Sequence, residues 1–193
     1  MSKEEVLNLF KETGALLEGH FRLTSGLHSP HYFQCAKVLQ YPQHAQKLCW
    51  EIACYFMTEK INLVIGPALG GIIVAQEVAR LLSARSIFAE REDNKMTLRR
   101  GFEIKPGERV LVVEDVVTTG GSIMEVIDLV QKASAHLVGV GFLVDRSQQR
   151  ASFDVPKFSV IEMDVVTYQP DACPLCKKGI PVVKPGSRKL IDS

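Results

Sequence analysis

Residues 110–122 read Val-Leu-Val-Val-Glu-Asp-Val-Val-Thr-Thr-Gly-Gly-Ser, and the order of their chemistry decides the architecture. Positions 110–113 form an apolar run without alternation, which fits a strand covered on both faces. Two carboxylates, Glu114 and Asp115, emerge at its carboxyl end, and Thr118, Thr119, Gly120, Gly121 and Ser122 open the helix that follows. In an open parallel sheet, ligands bind at this edge. Glycines let backbone N–H groups converge on an anion, hydroxyls add donors, and the positive end of the helix faces the same point.

An acidic pair placed shortly before a phosphate nest suits a ribose 5-phosphate, with the diol on the acids and the phosphate on the amides. The plainer alternative is an ordinary strand and turn whose acids are solvated. Neither the Walker Gly-x-x-x-x-Gly-Lys-Ser/Thr nor the Rossmann Gly-x-Gly-x-x-Gly pattern occurs.

Working outward, the same strand-then-helix rhythm repeats on both sides. Upstream, a second apolar strand over 63–66 leads through Pro67-Ala68-Leu69-Gly70-Gly71 into a helix over about 72–82, and a short strand covers 87–89. Read alone, that Gly-Gly is as consistent with packing punctuation as with a second anion loop. Downstream, a helix over about 122–135 precedes a strand over 137–144. Ala45, Leu48, Cys49, Ile52, Ala53 and Phe56 share one face of a helix that starts at Pro42. At the amino end, Ser2 and Glu5 have capping-box spacing, Val6, Leu9 and Phe10 share a face, and Gly14 can end the helix. The stretch 19–41 reads as short strands and a loop. The stretch 90–107 reads as a long polar loop carrying Arg91, Lys95, Arg99, Arg100 and Lys105. The pattern predicts an α/β fold, a parallel sheet flanked by helices, in one domain over 1–193. The last ten residues, 184–193, are expected to fray.

Composition bounds the function. The chain has 193 residues, 46% of them hydrophobic and 23% charged, which fits one globular core. Its 23 Lys+Arg against 22 Asp+Glu leave a net charge of +1, so no global field draws it to nucleic acid or anionic lipid. Apolar runs fall far short of the ~20 residues of a membrane span, and the acidic start is unlike a signal peptide. Five cysteines, an odd count, argue against a disulfide framework, and a cytoplasmic location is expected. Cys173 and Cys176 form half of a zinc-ribbon pattern. With no second pair and no histidine nearby in sequence, free thiols are favoured over a metal shared between subunits, and no metal-ligating residue is expected.

The string at 110–122 resembles the phosphoribosyl-pyrophosphate signature of the type I phosphoribosyltransferases, and the loop at 65–71 looks like their pyrophosphate loop. The resemblance implies that family's fold, a central parallel sheet with a small hood drawn from about 1–40 and 145–180. It implies that Glu114 and Asp115 hold the ribose hydroxyls, that Thr118, Thr119, Gly120, Gly121 and Ser122 hold the 5-phosphate, and that Val116 and Val117 border the phosphoribosyl pyrophosphate as well.

Phe21-Arg22-Leu23-Thr24-Ser25-Gly26, with His28-Ser29-Pro30 and Tyr32-Phe33, resembles the N-terminal segment of orotate phosphoribosyltransferases. Val144-Asp145-Arg146 resembles the segment whose arginine binds orotate. Ser25, Gly26, Phe33, Thr118 and Arg146 are the implied orotate contacts. A guanidinium suits that acceptor, whose carboxylate and carbonyls a planar fork of donors can grip. Alone, Arg146 would read as a surface cation and Tyr32-Phe33 as core.

Asp115, Lys95 and Arg91 are the implied catalytic residues, with Arg91 and Lys95 also on the phosphoribosyl pyrophosphate. Mg2+ is the implied cofactor, and a homodimer sharing the basic loop the implied assembly. Three positions depart from the family pattern: Thr24 and Glu92 stand where lysines are often found, and Thr97 where some members carry histidine. Arg99 and Arg100 either supply the missing charge or form a solvated face. The rivals are transfer to a purine or uracil, and a phosphoribosyl-pyrophosphate-sensing regulator that binds nucleic acid. The Arg146 and Ser25-Gly26 context disfavours the first, and the lack of a basic surface disfavours the second.

Overall fold

The computed structural model describes residues 1–23, 25–163 and 166–185. Helix α1 (Lys3–Glu12) starts as its spacing predicts: Ser2 Oγ accepts the Glu5 N–H at 3.2 Å, and the Glu5 carboxylate accepts the Ser2 N–H at 2.6 Å. Its buried face is Val6, Leu9 and Phe10. Strands β1 (Leu16–Arg22) and β2 (His28–Phe33) then pair antiparallel as a separate two-stranded sheet. Short α2 (Ala36–Leu39) and α3 (Pro42–Phe56) follow, the latter with Pro42 in its first turn.

The rest of the chain builds the main sheet. Its elements are β3 (Leu63–Pro67), α4 (Gly70–Leu82), β4 (Arg85–Glu92), β5 (Lys95–Thr97), β6 (Arg109–Val117), α5 (Gly121–Lys132), β7 (His136–Asp145) and β8 (Lys157–Glu162). A 3-10 turn (Pro170–Ala172) and the short α6 (Pro174–Lys177) come last among the described residues. Strand order is β5-β4-β3-β6-β7-β8, parallel throughout except β5, which pairs antiparallel with β4. The central position of β6 places its carboxyl end at the middle of the ligand-binding edge.

Two apolar layers cover the sheet, as the unalternated strands require. Leu111 and Val113 of β6 pack with α3 and α4, while Val110 and Val112 pack with Ile123, Val126 and Ile127 of α5. Helix α3 approaches β7 closely because two strand positions lack side chains. A Cβ on Gly141 would stand 2.6 Å from Ile52 Cγ2, and one on Gly139 2.5 Å from Phe56 Cε1. Cys49 lies in this layer with no exposure, and burial, helped by Glu77, pushes its thiol up to about 12.

Four expectations need correction. Strand β6 continues to Val117, so Glu114 and Asp115 lie inside its last turn of pleat rather than beyond it. The stretch 90–107 is not all loop: β4 and β5 form a hairpin turned at Asp93 and Asn94, both with positive φ. Within 19–41, β1 begins earlier, at Leu16, and 36–39 is helical because Val38 and Leu39 must be buried. Strand β8 has no apolar run; as an edge strand it buries only Ile161, which hides it from pattern reading. Thr24 and most of the tail expected to fray (186–193) lie outside the described residues.

The close approach of α3 to β7 is tested by a double-mutant cycle. Gly141→Ala is expected to destabilise the chain by about 1–3 kcal/mol through overpacking. In an Ile52→Ala background the same change is expected to cost less than about half as much, read as the coupling between denaturation midpoints.

Candidate active site

Strand β6 ends at Val117, α5 starts at Gly121, and Gly120 bridges them with φ +79°, a conformation natural to glycine. No side chain caps the first amides of α5, so they remain available to an anion. Glu114 and residues 116–123 line a cleft of about 60 Å³ at this turn. Val116, Val117, Thr118, Thr119, Gly120, Gly121 and Ser122 are therefore gathered as expected, the two valines as part of the strand floor.

Asp115 connects this turn with the loop after β3. A Cβ on Gly70, the first residue of α4, would collide with the Asp115 carboxylate, and one on Gly66 would collide with the Gly71 carbonyl. The Ala68–Leu69 peptide between them is cis, and the Ala68 N–H donates to the Ala89 carbonyl at 2.7 Å. The two glycine-rich loops thus meet across the acidic pair. Glu114 Oε1 accepts the Asp115 N–H at 3.2 Å, and Asp115 Oδ1 accepts the Val116 N–H at 2.9 Å. Burial, then the neighbouring Asp115 charge, holds the Glu114 carboxyl well above its usual range. Burial also raises Asp115, against backbone hydrogen bonds that lower it. Such a pair gains from polar ligand hydrogens that favour its charged form.

Arg146 stands next to the cleft. Its N–H donates to the Val117 carbonyl at 2.8 Å, which ties it to the end of β6. Its guanidinium carbon lies 5.6 Å from the centre of the Phe33 ring, and its Nε is buried without a hydrogen-bond partner among the described residues. Burial lowers its pKa, against the opposing influence of Tyr32 and Cys35. Phe33 is only 5% exposed and packs edge-on against Phe10, so its part is to carry Arg146 rather than to offer an open face. Ser25 and Gly26 occupy the turn at the other end of β2. That strand spans about 20 Å at ~3.3 Å per residue, so Phe33, not the Ser25-Gly26 turn, stands beside Arg146.

The basic residues of the β4–β5 hairpin are engaged elsewhere. Arg91 makes a bidentate pair with Glu125 of α5, at 2.8 and 2.6 Å, and Arg99 and Arg100 pair with Glu92 and Glu90. Lys95 is exposed and makes no ion pair among the described residues.

Sequence reading passed over the parts played by Gly70 and Asp145, and named Tyr32 only as an aromatic in the segment that resembles the base-binding one. Gly70 gives Asp115 its space, visible in sequence only as punctuation. Asp145 accepts the Ser147 N–H at 2.7 Å and a Lys157 Nζ hydrogen bond at 3.4 Å, which fixes the turn that carries Arg146. Tyr32, half-buried, has its hydroxyl pKa raised by burial, against the nearby Arg146 charge. Cys173 and Cys176 have no histidine nearby in sequence, yet the fold brings His20 to both sulfurs and His28 to that of Cys176. Those contacts span about 150 residues of chain, so no local spacing could reveal them.

Comparison with known proteins agrees with this geometry. Residues 37–172 match the model of the phosphoribosyl transferase domain. The chain is 57% identical over 190 residues to the orotate phosphoribosyltransferase of Desulforamulus reducens, covering 98% of this chain and 100% of the relative. It is 53% identical over 188 residues to that of Chlorobium phaeobacteroides, covering 97% of each. Among solved structures, the orotate phosphoribosyltransferase of Aeropyrum pernix superposes with a TM-score of 0.68 at 28% identity, over 82% of this chain and 93% of that one. With its sheet order, its cradle after β6 and this likeness over almost its whole length, the chain belongs to the phosphoribosyl transferase family, among the orotate phosphoribosyltransferases.

Proposed function

We propose that the chain transfers the ribose 5-phosphate group of phosphoribosyl pyrophosphate to orotate, giving orotidine 5-phosphate and pyrophosphate. The observation that carries this reading is Arg146, a stacked guanidinium with an unpartnered Nε, fixed to the end of the strand that opens the phosphate cradle. Orotate offers the carboxylate and carbonyl oxygens such a fork lacks. Thr118, one of the residues lining the cleft, is read as the contact shared by both substrates.

The reaction needs no protein nucleophile. The bond from the pyrimidine nitrogen to the anomeric carbon forms as the bond from that carbon to the pyrophosphate oxygen breaks, and the nitrogen's proton is given up. Positive charge develops on the sugar ring, as at other glycosidic centres. Asp115 faces that charge, Glu114 and Asp115 grip the ribose hydroxyls, and the amides of residues 118–122 anchor the 5-phosphate. Lys95 and Arg91 stabilise the departing pyrophosphate. For Arg91 this requires the hairpin to release Glu125.

The donor set fits Mg2+, since every side chain with a lone pair in the cleft, from Glu114 to Ser122, offers oxygen. Glu114 and Asp115 would hold the ion together with substrate oxygens, and its charge would offset that of the leaving pyrophosphate. We read the chain as one working domain. The hood over the base is drawn from about 1–40 and 145–180, leaving out β8, which belongs to the main sheet, and the assembly is a homodimer in which Lys95 serves the neighbouring copy. Phosphoribosyl pyrophosphate and orotate are its partners, with neither nucleic acid nor membrane. Among the described residues no helix is long and apolar enough to cross a membrane, and unpaired Cys35, Cys49 and Cys54 suit the cytoplasm.

Orotate absorbance, followed on adding phosphoribosyl pyrophosphate and Mg2+, tests the assignment directly; unchanged orotate with the intact chain rejects it. Arg146→Ala is expected to raise KM for orotate by roughly 10–100-fold, the loss of a charged hydrogen-bond partner, and to leave KM for the donor within about threefold. Sharing of the loop is tested by mixing subunits. Lys95→Ala and Arg146→Ala are each expected to lose most activity, and a remixed 1:1 population to regain about a quarter of the wild-type rate, from the one intact site of each mixed dimer.

Glu114 yields a prediction of opposite sign for stability and binding. Its raised pKa means the folded chain holds that proton more tightly than the unfolded chain does. Its contribution to stability is therefore full below the ordinary carboxylate pKa of ~4.3 and is lost as pH rises toward the raised value. In Glu114→Gln, which removes the cost of burying that carboxyl, the substrate-free melting midpoint at neutral pH is expected to rise, read by thermal denaturation. KM for phosphoribosyl pyrophosphate is expected to rise about tenfold or more in the same variant.

A further inference from the structure

At the turn end of the β1–β2 hairpin, away from the cradle, four side chains converge. His20 comes from β1, His28 from β2, and Cys173 and Cys176 from the carboxyl-terminal segment. Their potential ligand atoms all lie within 4.8 Å of one another. His20 Nε2 is 2.9 Å from His28 Nδ1, 3.5 Å from Cys173 Sγ and 3.7 Å from Cys176 Sγ, and Cys176 Sγ is 3.3 Å from His28 Nδ1. Around a tetrahedral zinc, with bonds of about 2.0–2.1 Å to nitrogen and 2.3 Å to sulfur, ligand atoms stand roughly 3.3–3.8 Å apart. Three of the four separations match that spacing to within a few tenths of an ångström, and the nitrogen pair would open slightly.

The hydrogen-bond arrangement points the same way. His20 Nδ1 lies 2.7 Å from the Ile180 carbonyl, which only an N–H can satisfy, so the lone pair of its Nε2 faces the centre of the cluster. A backbone carbonyl behind a histidine in this manner is the usual outer support of a metal ligand. His20, His28 and Cys173 are almost fully buried, while Cys176 stays exposed, so the cluster has a way in. Two thiolates and two neutral imidazoles around a divalent ion make a neutral unit, the form in which such charge tolerates burial.

The surrounding fold needs such a fastening. A two-stranded sheet is marginal by itself, and the segment held against it buries little apolar surface. Neither the 3-10 turn at 170–172 nor α6 has a buried residue, and Ile180, Val182 and Val183 are 41%, 47% and 54% exposed. Isolated bridges from Tyr168 to His28 and from Val183 to Phe21 are its ladder contacts.

We propose that His20, His28, Cys173 and Cys176 bind one zinc ion as a structural site that fastens the carboxyl-terminal segment to the hairpin. Binding displaces one proton from each thiol, and the ion neither reacts nor turns over. The proposal is independent of the reaction assigned above, because the ligands lie apart from the cradle and the measurements do not use activity.

The full-length chain, purified reduced and without chelator, is expected to contain about one zinc per chain by mass spectrometry of the metal. Cys173→Ser/Cys176→Ser is expected to contain almost none. Cobalt(II) replacing the zinc is expected to show the visible bands of a tetrahedral nitrogen–sulfur site together with sulfur charge transfer, both absent from the double variant. A chelator is expected to lower the melting midpoint of the wild-type chain by more than about 5 °C and to leave that of the single variant Cys176→Ser nearly unmoved. Zinc below about a tenth of an equivalent with no cobalt spectrum, full zinc retention in the double variant, or a Cys173–Cys176 disulfide in the freshly isolated chain would each overturn the proposal.

Discussion

Two adjacent carboxylates at the end of a buried strand are costly, and much of the molecule is arranged around them. Burial pushes both Glu114 and Asp115 toward their protonated forms, and the Asp115 charge pushes Glu114 further the same way. The sheet cannot relieve this by splaying them apart, because Asp115 is pressed against the first residue of α4, where only glycine leaves room. The tension is relieved by what comes into the cleft. Hydrogen-bond donors brought to the two acids favour their charged forms, and the uncapped amides of α5 at the same turn are open to an anion. Such an arrangement discriminates well, since a molecule that pairs with the acids alone or with the amides alone leaves the other part unsatisfied.

The parts of this design that are local were legible in the amino-acid sequence. The apolar run at 110–113, the acidic pair and the hydroxyl-glycine turn lie within thirteen residues, and one strand and one helix terminus carry their meaning. The capping box of α1 and the apolar face of α3 were equally plain. What stayed hidden depends on tertiary partners. Strand β8 buries a single residue and is a strand only because β7 offers it an edge. Phe33 reads as a ligand-facing aromatic until Phe10 and Arg146 are seen to cover it. The histidine–cysteine cluster joins positions from opposite ends of the chain, a relation that no spacing rule contains.

The β4–β5 hairpin illustrates a third kind of limit, in which composition reveals the charges but not their partners. Its arginines were visible, yet they are paired with Glu90, Glu92 and Glu125. Exposed pairs of this sort contribute about 0–1 kcal/mol each. Pairs this weak can be exchanged for other oxygens without a large barrier.

The chain's connectivity also bears on the order of its making. The hairpin near the amino terminus has its backbone hydrogen bonds completed by Tyr168 and Val183, residues near the other end. During synthesis at some 5–20 residues per second, about ten seconds or more separate the emergence of β1 from that of the segment that covers it. Throughout that interval the strand edges are open to pairing with neighbouring nascent chains. A ribosome that stops before residue 166 releases a product whose edge is never closed, so quality control has a concrete feature by which to tell finished chains from unfinished ones.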